Sequence, residues 1–272
     1  MKKIHTGIVL VTCILLTCFI IIRPMGAHAQ DNNTIKVMTY NIHHGNPPDK
    51  PDSIDVSAIA AIIKQQQPDI VALQEVDVNT KRDGHINEIA TIAAKAGYQS
   101  FYFAKTIDLE GGQYGIAILS KYPLTRTATH KLPSNGAPGA EPRVLATAIV
   151  HLPGNKRVQF GCTHLDAYHK ENRLLQIKEI IRLTDKSSDP FIIGGDFNSS
   201  ENSDVIKLLD QAFTRTCHQC LPTFHEEAID DGAIDYLAFR PAGSFKVLSH
   251  QVLKTVNASD HYPVVSVLKL NQ

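Results

Sequence analysis

Short apolar runs rich in β-branched and aromatic residues recur along this chain, and segments of helical periodicity separate many of them. Ile35 to Ile42 and Pro190 to Gly194 are such runs, whereas Glu171 to Thr184 places leucine and isoleucine on one wide face of a helix. The mixed order of strands and helices, with hairpin-like spacing late in the chain, predicts an α/β fold. We expect two β-sheets packed face to face, with helices outside.

Local signals give the bounds of the predicted elements. One helix covers Ile54 to Gln67 and stops at Pro68, and a second covers Ile86 to Ala96 and ends at Gly97, where a left-handed cap costs little. Ser203 to Leu209 is a further helix candidate. Further strands are predicted at 69–73, 99–103, 115–120, 144–151, 158–163, 233–239, 245–250 and 262–270, and residues 133–142 are predicted to form a surface loop.

The N-terminus is predicted to be an export signal. Lys2 and Lys3 precede an uncharged apolar run, and Ala27-His28-Ala29 has small residues at the two positions that a signal peptidase inspects. Cleavage would separate a signal peptide, residues 1–29, from one domain, residues 30–272, and would make the protein secreted or extracytoplasmic. The alternatives are an uncleaved membrane anchor and, less favoured, lipidation at Cys18.

The charge of the mature chain argues against tight binding to a polyanion. The whole chain has 27 basic and 27 acidic residues, but loss of Lys2, Lys3 and Arg23 with the signal leaves 24 against 27, a net charge of −3. Proteins that grip duplex DNA do so mainly through Lys and Arg contacts to phosphates. Nucleic acid is therefore not the favoured partner. Nothing in the sequence indicates the oligomeric state.

Three cysteines remain in the mature chain. Cys217 and Cys220 are predicted to form a small disulfide loop or to be two unremarkable thiols, and zinc is disfavoured because a second CxxC pair is missing. Cys162 lies in a strand-like run and is expected to be a buried, inert thiol.

Polar residues of the kinds used in catalysis stand at or near the ends of the apolar runs. Rigid strand ends are where α/β enzymes hold side chains that must be positioned accurately. Singly, most of these residues are better explained as turn formers. Gly194 and Gly195, which precede an acid, are expected to allow close approach of the backbone to a ligand. The set comprises Asn41, Glu75, His164, Asp196, Asn198, Asp235, Asp260 and His261.

Taken together, six segments around these residues resemble the successive motifs of the endonuclease/exonuclease/phosphatase superfamily. That superfamily includes abasic-site endonucleases, secreted DNases, neutral sphingomyelinases and inositol-polyphosphate phosphatases. The resemblance implies a four-layer α/β sandwich and a catalytic domain that spans residues 30–272. The segments are Thr39-Tyr40-Asn41, Leu73-Gln74-Glu75-Val76, Thr163-His164-Leu165, Gly195-Asp196-Phe197-Asn198, Ile234-Asp235-Tyr236 and Ser259-Asp260-His261.

The resemblance also implies a metal site and the ligands that form it. Glu75 is expected to be the principal ligand of Mg²⁺, for which Mn²⁺ is a substitute. Asn41 lies beside it, and Asp260 contributes directly or through water. Oxygen ligands of this kind suit magnesium, which keeps several of its waters.

The remaining five residues are expected to act on the phosphoryl group and on water. Asp196 would orient or deprotonate the attacking water, and Asn198 would hold that water or a phosphate oxygen. His164 and His261 would donate hydrogen bonds to the pentavalent phosphate, with Asp235 as the partner of His261. Secondary candidates for shaping specificity are Arg82 and His85, which lie in the polar loop after Glu75. Tyr114 is a candidate for a contact with phosphate, and the alternative is that it is a packed aromatic side chain.

Three functions remain open at this point. The favoured one is an exported phosphodiesterase acting on a lipid headgroup or another small organic phosphodiester. A secreted or surface-associated nuclease is the alternative. A binding module that has lost its activity is disfavoured because the set of catalytic residues is complete.

Overall fold

The computed structural model describes residues 33–186, 189–225 and 232–271, and the predicted signal peptide lies outside them. Within the described part, no helix has the length and apolar character needed to cross a bilayer. In chain order the strands are β1 (Thr34–Asn41), β2 (Ile70–Val78), β3 (Ser100–Leu109), β4 (Gly112–Ser120), β5 (Leu124–Lys131), β6 (Val144–Leu152), β7 (Lys156–His164), β8 (Phe191–Asp196), β9 (Thr214–Arg215), β10 (Asp235–Arg240), β11 (Phe245–Val252) and β12 (Val264–Leu270).

These strands form two six-stranded sheets. The first has the order β11-β12-β1-β2-β4-β3, and the second has the order β5-β6-β7-β8-β10-β9. Only β1 with β2 and β7 with β8 pair in parallel, and the other neighbours are antiparallel. Two mixed sheets confirm the predicted fold class.

Four α-helices cover the outer faces of the sheets, which gives the four expected layers. They are α1 (Val56–Gln66), α2 (Glu88–Ala96), α3 (Lys170–Thr184) and α4 (Asp204–Ala212). The predicted end of α2 is confirmed, since Gly97 takes a left-handed φ of 83°. Apolar side chains of α1 and α2 pack on the first sheet, and those of α3 and α4 pack on the second.

The core between the two sheets consists of the alternate, inward-facing residues of their strands. Val37 and Ile118 from the first sheet belong to the same buried cluster as Phe160, Ile192 and Leu237 from the second. Burial of this apolar area is the main force that holds the sheets together.

Two strands, β5 and the two-residue β9, were not predicted from the sequence. β5 lies at an edge of the second sheet, where it pairs only with β6. Its sequence, LTRTATHK, is polar and mostly exposed because one side of an edge strand faces solvent. Such a strand lacks the apolar run by which the others are recognised.

The cysteines agree with the predictions. Cys217 and Cys220 form a disulfide, one of the two states that the sequence left open. Cys162 is a buried free thiol, and burial raises its pKa to about 12. A thiol with so high a pKa is inert at neutral pH.

The topology brings the polar strand ends to one edge of the sandwich. Asn41 ends β1, and Glu75 lies within β2 directly after Gln74, where the parallel pairing of the two strands stops. His164 and Asp196 are register partners at the ends of β7 and β8. Asp235, at the start of the antiparallel β10, is the register partner of Asp196. Parallel strands share the edge at which they end, and an antiparallel neighbour begins there.

Gly194 and Gly195 make room for protein rather than for a ligand, contrary to the sequence interpretation. A Cβ at Gly194 would lie 3.1 Å from Cβ atoms of Thr39 and Ala72 in the opposite sheet, and one at Gly195 would lie 2.4 Å from the carbonyl oxygen of Thr163. The two glycines therefore allow the sheets, and neighbouring strands, to approach closely just before Asp196.

We expect Gly195→Ala to destabilise the fold, because a backbone oxygen in a central strand cannot move away from the added methyl group. The expected loss is about 1–3 kcal/mol in the free energy of unfolding, measured by urea denaturation. Gly243→Ala is the matched control, since a Cβ there meets nothing within 4 Å. Equal stability of the two variants would contradict this account of the strand packing.

Candidate active site

A cavity of about 500 Å³ opens at the edge where the strand ends meet. Six of the eight predicted site residues line it: Glu75, His164, Asp196, Asn198, Asp260 and His261. Asn41 and Asp235 lie directly behind them and contact them, as described below. The structure therefore brings the whole predicted set to one site.

Asn41 is the buried link between the two sheets at this site. Its Nδ2 donates to Glu75 Oε1 at 3.0 Å and to Asp196 Oδ2 at 3.2 Å. Its Oδ1 accepts from the backbone N–H of His43 at 3.1 Å. In this orientation the amide nitrogen, and not the oxygen, faces Glu75, and the role of Asn41 as a metal ligand stays a prediction. In this arrangement Asn41 orients two carboxylates.

Glu75 and Asp260 are two accessible carboxylates of the cavity, and a third, Glu141, is paired with Arg143. Glu75 sits at an irregularity of β2, between Leu73 and Val76, with a left-handed φ of 57° that turns its side chain out of the sheet. Asp260 Oδ1 accepts from Ser259 Oγ at 3.2 Å, and Oδ2 lies 3.6 Å from His43 Nδ1. Two partly exposed carboxylates on one cavity form an oxygen-rich donor set that fits a hard divalent cation.

Three residues that line the cavity have a left-handed backbone conformation. His43, Glu75 and Asn198 have positive φ, at 44°, 57° and 47°. Residues with a Cβ adopt this conformation at an energetic cost, and they persist in it where the surrounding structure requires it. The contacts around the cavity therefore hold these three residues in place.

His261 is held between two buried carboxylates. Its Nδ1 donates to Asp235 Oδ2 at 2.8 Å, and its Nε2 lies 3.8 Å from Asp196 Oδ2. Burial alone would lower the pKa of His261, but Asp235, Asp196 and Asp260 outweigh it and raise this pKa to about 10. The imidazole is therefore protonated at neutral pH, and its Nε2–H is available to an anion in the cavity.

Asp196 has the properties of a base near neutral pH. Burial and the charge of Asp235 raise its pKa to about 7, while His261 and hydrogen bonds from Asn198 and Asn41 oppose that rise. The backbone N–H of Asn198 donates to its Oδ1 at 2.8 Å. A carboxylate whose pKa is close to the working pH is suited to accept a proton from water.

His164 and Asn198 complete the site. Burial, together with the positive charges of Arg143 and His261, holds the pKa of His164 well below its usual value, so the ring is neutral. Its Nε2 lies 3.5 Å from Asp196 Oδ2. Asn198 Nδ2 donates to the carbonyl of Leu165 at 3.0 Å, which fixes the amide beside the cavity.

A second arrangement that fits a metal consists of Asp196, Asp235 and His261, whose ligand atoms lie within 4.8 Å of one another. The hydrogen bond between His261 and Asp235 argues against it, because a protonated imidazole does not ligate a cation. We therefore interpret this buried group as a hydrogen-bonded network, and Glu75 with Asp260 as the pair that could hold a metal.

Thr223 is a site residue that the sequence did not reveal. Its Oγ1 donates to Asp235 Oδ2 at 2.6 Å and accepts from the backbone N–H groups of Ile234 and Asp235 at 3.1 Å. Thr223 precedes no apolar strand, so no local pattern marks it. Of the secondary candidates, Arg82 and Tyr114 line the cavity and His85 does not.

Comparison with known proteins identifies the family. Residues 38–261 match the model of the Endonuclease/Exonuclease/phosphatase family. The chain belongs to this family. Its members are phosphoesterases or nucleases that usually depend on a divalent metal ion, and the chain is therefore assigned to the phosphoric ester hydrolases.

Individual proteins are similar to this chain in sequence or in fold. The chain is 27% identical over 206 residues to YbhP of Escherichia coli strain K12, an uncharacterized protein, covering 70% of this chain and 79% of YbhP. The structure of an endonuclease/exonuclease/phosphatase from Beutenbergia cavernae is 26% identical with a TM-score of 0.77, covering 88% of this chain and 72% of that one. The mannosyl-6-phosphatase Bt3783 of Bacteroides thetaiotaomicron shares the fold, with 17% identity, a TM-score of 0.68 and coverage of 86% and 99%.

We expect Asp235→Asn to lower the pKa of His261, because it removes the charge closest to the imidazolium. The ring proton of His261, followed by NMR in metal-free protein, should titrate well below the wild-type value of about 10. Since the folded pKa is raised, the pair stabilises the fold fully below about pH 6.5, and that stability is lost as pH rises toward 10. The variant should lack this loss.

Asp185→Asn is the control for a lost surface carboxylate, since Asp185 is exposed at the C-terminal end of α3 and its carboxylate pairs with Arg240 outside the cavity. Its His261 titration should match the wild type. An unchanged pKa of His261 in Asp235→Asn would contradict the proposed electrostatic pairing.

Proposed function

We propose that this protein is an exported, Mg²⁺-dependent phosphodiesterase that hydrolyses a small organic phosphodiester, such as a lipid headgroup ester, by in-line attack of water. The observation that carries the proposal is that two accessible carboxylates, a buried carboxylate of raised pKa and a protonated imidazole all meet at one cavity. A phosphodiester is an anion, so hydrolysis requires neutralised oxygens and an oriented water.

Glu75 and Asp260 would hold the Mg²⁺ ion, and Mn²⁺ would be a substitute. The bound ion would neutralise charge on the phosphoryl oxygens. Asn41, whose Nδ2 bonds to Glu75 and Asp196, keeps these carboxylates at a fixed separation. It would offer its own oxygen as a ligand only after a rotation of its amide.

Asp196 would accept the proton of the attacking water, and Asn198 would hold that water beside it. The raised pKa of Asp196 makes the carboxylate basic enough for this step near neutral pH. The bond from the Asn198 N–H to Asp196 Oδ1 leaves Oδ2 as the oxygen on the side of Asn41 and both histidines.

His261 and His164 would donate hydrogen bonds to the non-bridging oxygens as negative charge develops there. Asp235 and Thr223 fix the orientation of the His261 ring before substrate arrives. Preorganised donors in a site of this kind contribute most in the transition state, because they need not reorient as charge appears.

A nuclease is the second candidate, and Arg82 and Arg143 on the cavity wall favour it. Each of these arginines is paired with a carboxylate, however: Arg82 with Asp77 at 2.6 Å and Arg143 with Glu141 at 3.0 Å. The wall therefore has little excess positive charge, and the mature chain is acidic. A panel of DNA, RNA, sphingomyelin, phosphoinositides, bis(p-nitrophenyl) phosphate and a phosphomonoester would decide between the two candidates.

We expect Glu75→Gln to abolish Mg²⁺-dependent hydrolysis of bis(p-nitrophenyl) phosphate, because it removes the charge that would bind the cation. The expected loss in kcat/KM is at least about 100-fold, with weakened Mg²⁺ binding in calorimetry and an unchanged circular dichroism spectrum. Glu179→Gln, which changes a glutamate on α3 paired with Arg182 outside the cavity, is the control. Full activity of Glu75→Gln would remove Glu75 from the metal site.

Export is proposed from the N-terminal sequence. Expression of the full chain in a bacterial host should yield a mature protein outside the cytoplasm whose first residue is Gln30. Cell fractionation and N-terminal sequencing would measure this. Replacement of both Ala27 and Ala29 by Leu should block cleavage, since a signal peptidase requires small residues there. Unprocessed wild-type protein in the cytoplasm would contradict the proposal.

A further inference from the structure

Tyr168 is the most exposed large hydrophobic side chain among those identified in the described residues, and it stands at the mouth of the catalytic cavity. Its side chain is 82% exposed, and it lines the cavity together with the catalytic groups. The other aromatic residues of the lining are already packed. Tyr114 is 8% exposed, and Phe224 lies edge-on to the His261 ring, with 4.8 Å between the ring centroids.

A single exposed tyrosine on a protein surface is ordinary and by itself needs no explanation. What distinguishes Tyr168 is the short loop that presents it. This loop, residues 165–169, runs directly from His164 at the end of β7 to Lys170, the first residue of α3. Its conformation therefore sets where Tyr168 stands relative to a catalytic side chain four residues earlier.

Buried polar side chains fix this loop. Asp166 is almost completely buried, and its Oδ1 accepts from the backbone N–H groups of Tyr168 and His169, both at 2.8 Å. Its Oδ2 accepts from Asn172 Nδ2 at 2.9 Å. The bonds to His169 and Asn172 serve the start of α3, but the bond to Tyr168 fixes the backbone of the exposed residue itself.

Further hydrogen bonds hold the backbone of residues 166 and 167, which precede Tyr168 in the loop. The start of α3 does not need these bonds. Gln176, fully buried, accepts from the backbone N–H of Asp166 at 2.9 Å. Arg173 donates from Nη1 to the carbonyls of Asp166 and Ala167, both at 3.0 Å. Together these bonds immobilise one short segment, the loop that presents Tyr168.

We propose that Tyr168 is a specificity-determining residue that stacks on a flat ring in the organic group esterified to the phosphate. A rigid aromatic face at the rim of a polar cavity contributes contact area at little cost in conformational entropy, because the backbone is already fixed. The ring is a nucleobase or the apolar face of a sugar, which share this flat surface. The inference rests on the proposed function, since it requires phosphate to bind at Glu75 and His261.

The test compares two diesters of equal charge, methyl phenyl phosphate and dimethyl phosphate, which differ by the ring. Calorimetry with Mg²⁺ in an Asp196→Asn background measures the Kd without turnover. Methyl phenyl phosphate should bind about tenfold more tightly than dimethyl phosphate. Tyr168→Ala should reduce that ratio to near one, and Tyr168→Phe, which keeps the ring, should preserve it.

Phe101→Ala is the matched control, because Phe101 is an aromatic residue on β3 that is 43% exposed and does not line the cavity. It should leave the ratio unchanged. The methyl esters of adenosine 5′-monophosphate and of glucose 1-phosphate, both diesters, identify the source of the ring in the same assay, since the true class should lose more affinity in Tyr168→Ala than the other.

The outcomes separate the two proposals. A ratio that stays at its wild-type value in Tyr168→Ala, or that is already near one in the parent protein, overturns the role of Tyr168 and leaves the phosphoesterase proposal intact. Failure of both phosphates to bind with Mg²⁺ overturns both proposals. Loss of the ratio in Phe101→Ala as well would assign the effect to general destabilisation and overturn the specific role.

Discussion

The contact of Asn41 with two carboxylates, one from each sheet, is the interaction on which the site depends. Glu75 belongs to the first sheet and Asp196 to the second, and one amide nitrogen reaches both within 3.2 Å. This requires the sheets to lie close together here, which the small size of Gly194 opposite Thr39 and Ala72 allows. Since side chains alternate along a strand, a slip of one residue in either sheet would turn these groups away from each other.

The site also places two buried carboxylates of the second sheet side by side, and the fold compensates their negative charge locally. Asp196 and Asp235 are neighbouring register partners, both buried, and two carboxylates so placed cannot both be ionised without compensation. The His261 imidazolium between them supplies it, and Thr223 satisfies Asp235 further. Buried charges held in this way have little freedom to move, so their dipoles are already oriented when an anionic substrate enters.

Much of this arrangement could be predicted from the sequence, for a reason that the structure makes clear. Each catalytic residue lies at or near the end of an apolar strand, and apolar runs are local patterns that a sequence displays. What could not be predicted depends on contacts between distant segments. The order of the strands, the edge strand β5, the bond from Thr223 to Asp235 and the direction of the Asn41 amide are all decided by a partner elsewhere in the chain. The periodicity of a local segment does not indicate which distant residue that segment contacts.

The residues proposed for catalysis and the residues proposed for substrate specificity lie in different parts of the fold. Groups that would act on phosphate stand on or beside strand ends, where two packed sheets hold them, whereas Tyr168 and Arg82 reach the cavity from loops. Under the proposed role of Tyr168, a change in this loop would alter which organic group is accepted and would leave the sheet packing untouched. The loop that presents Tyr168 is nevertheless anchored on α3 through Asn172, Arg173 and Gln176. The residue at position 168 can therefore be exchanged while the loop keeps its place. A rigid loop with one exposed side chain allows substrate specificity to change while the catalytic groups stay the same.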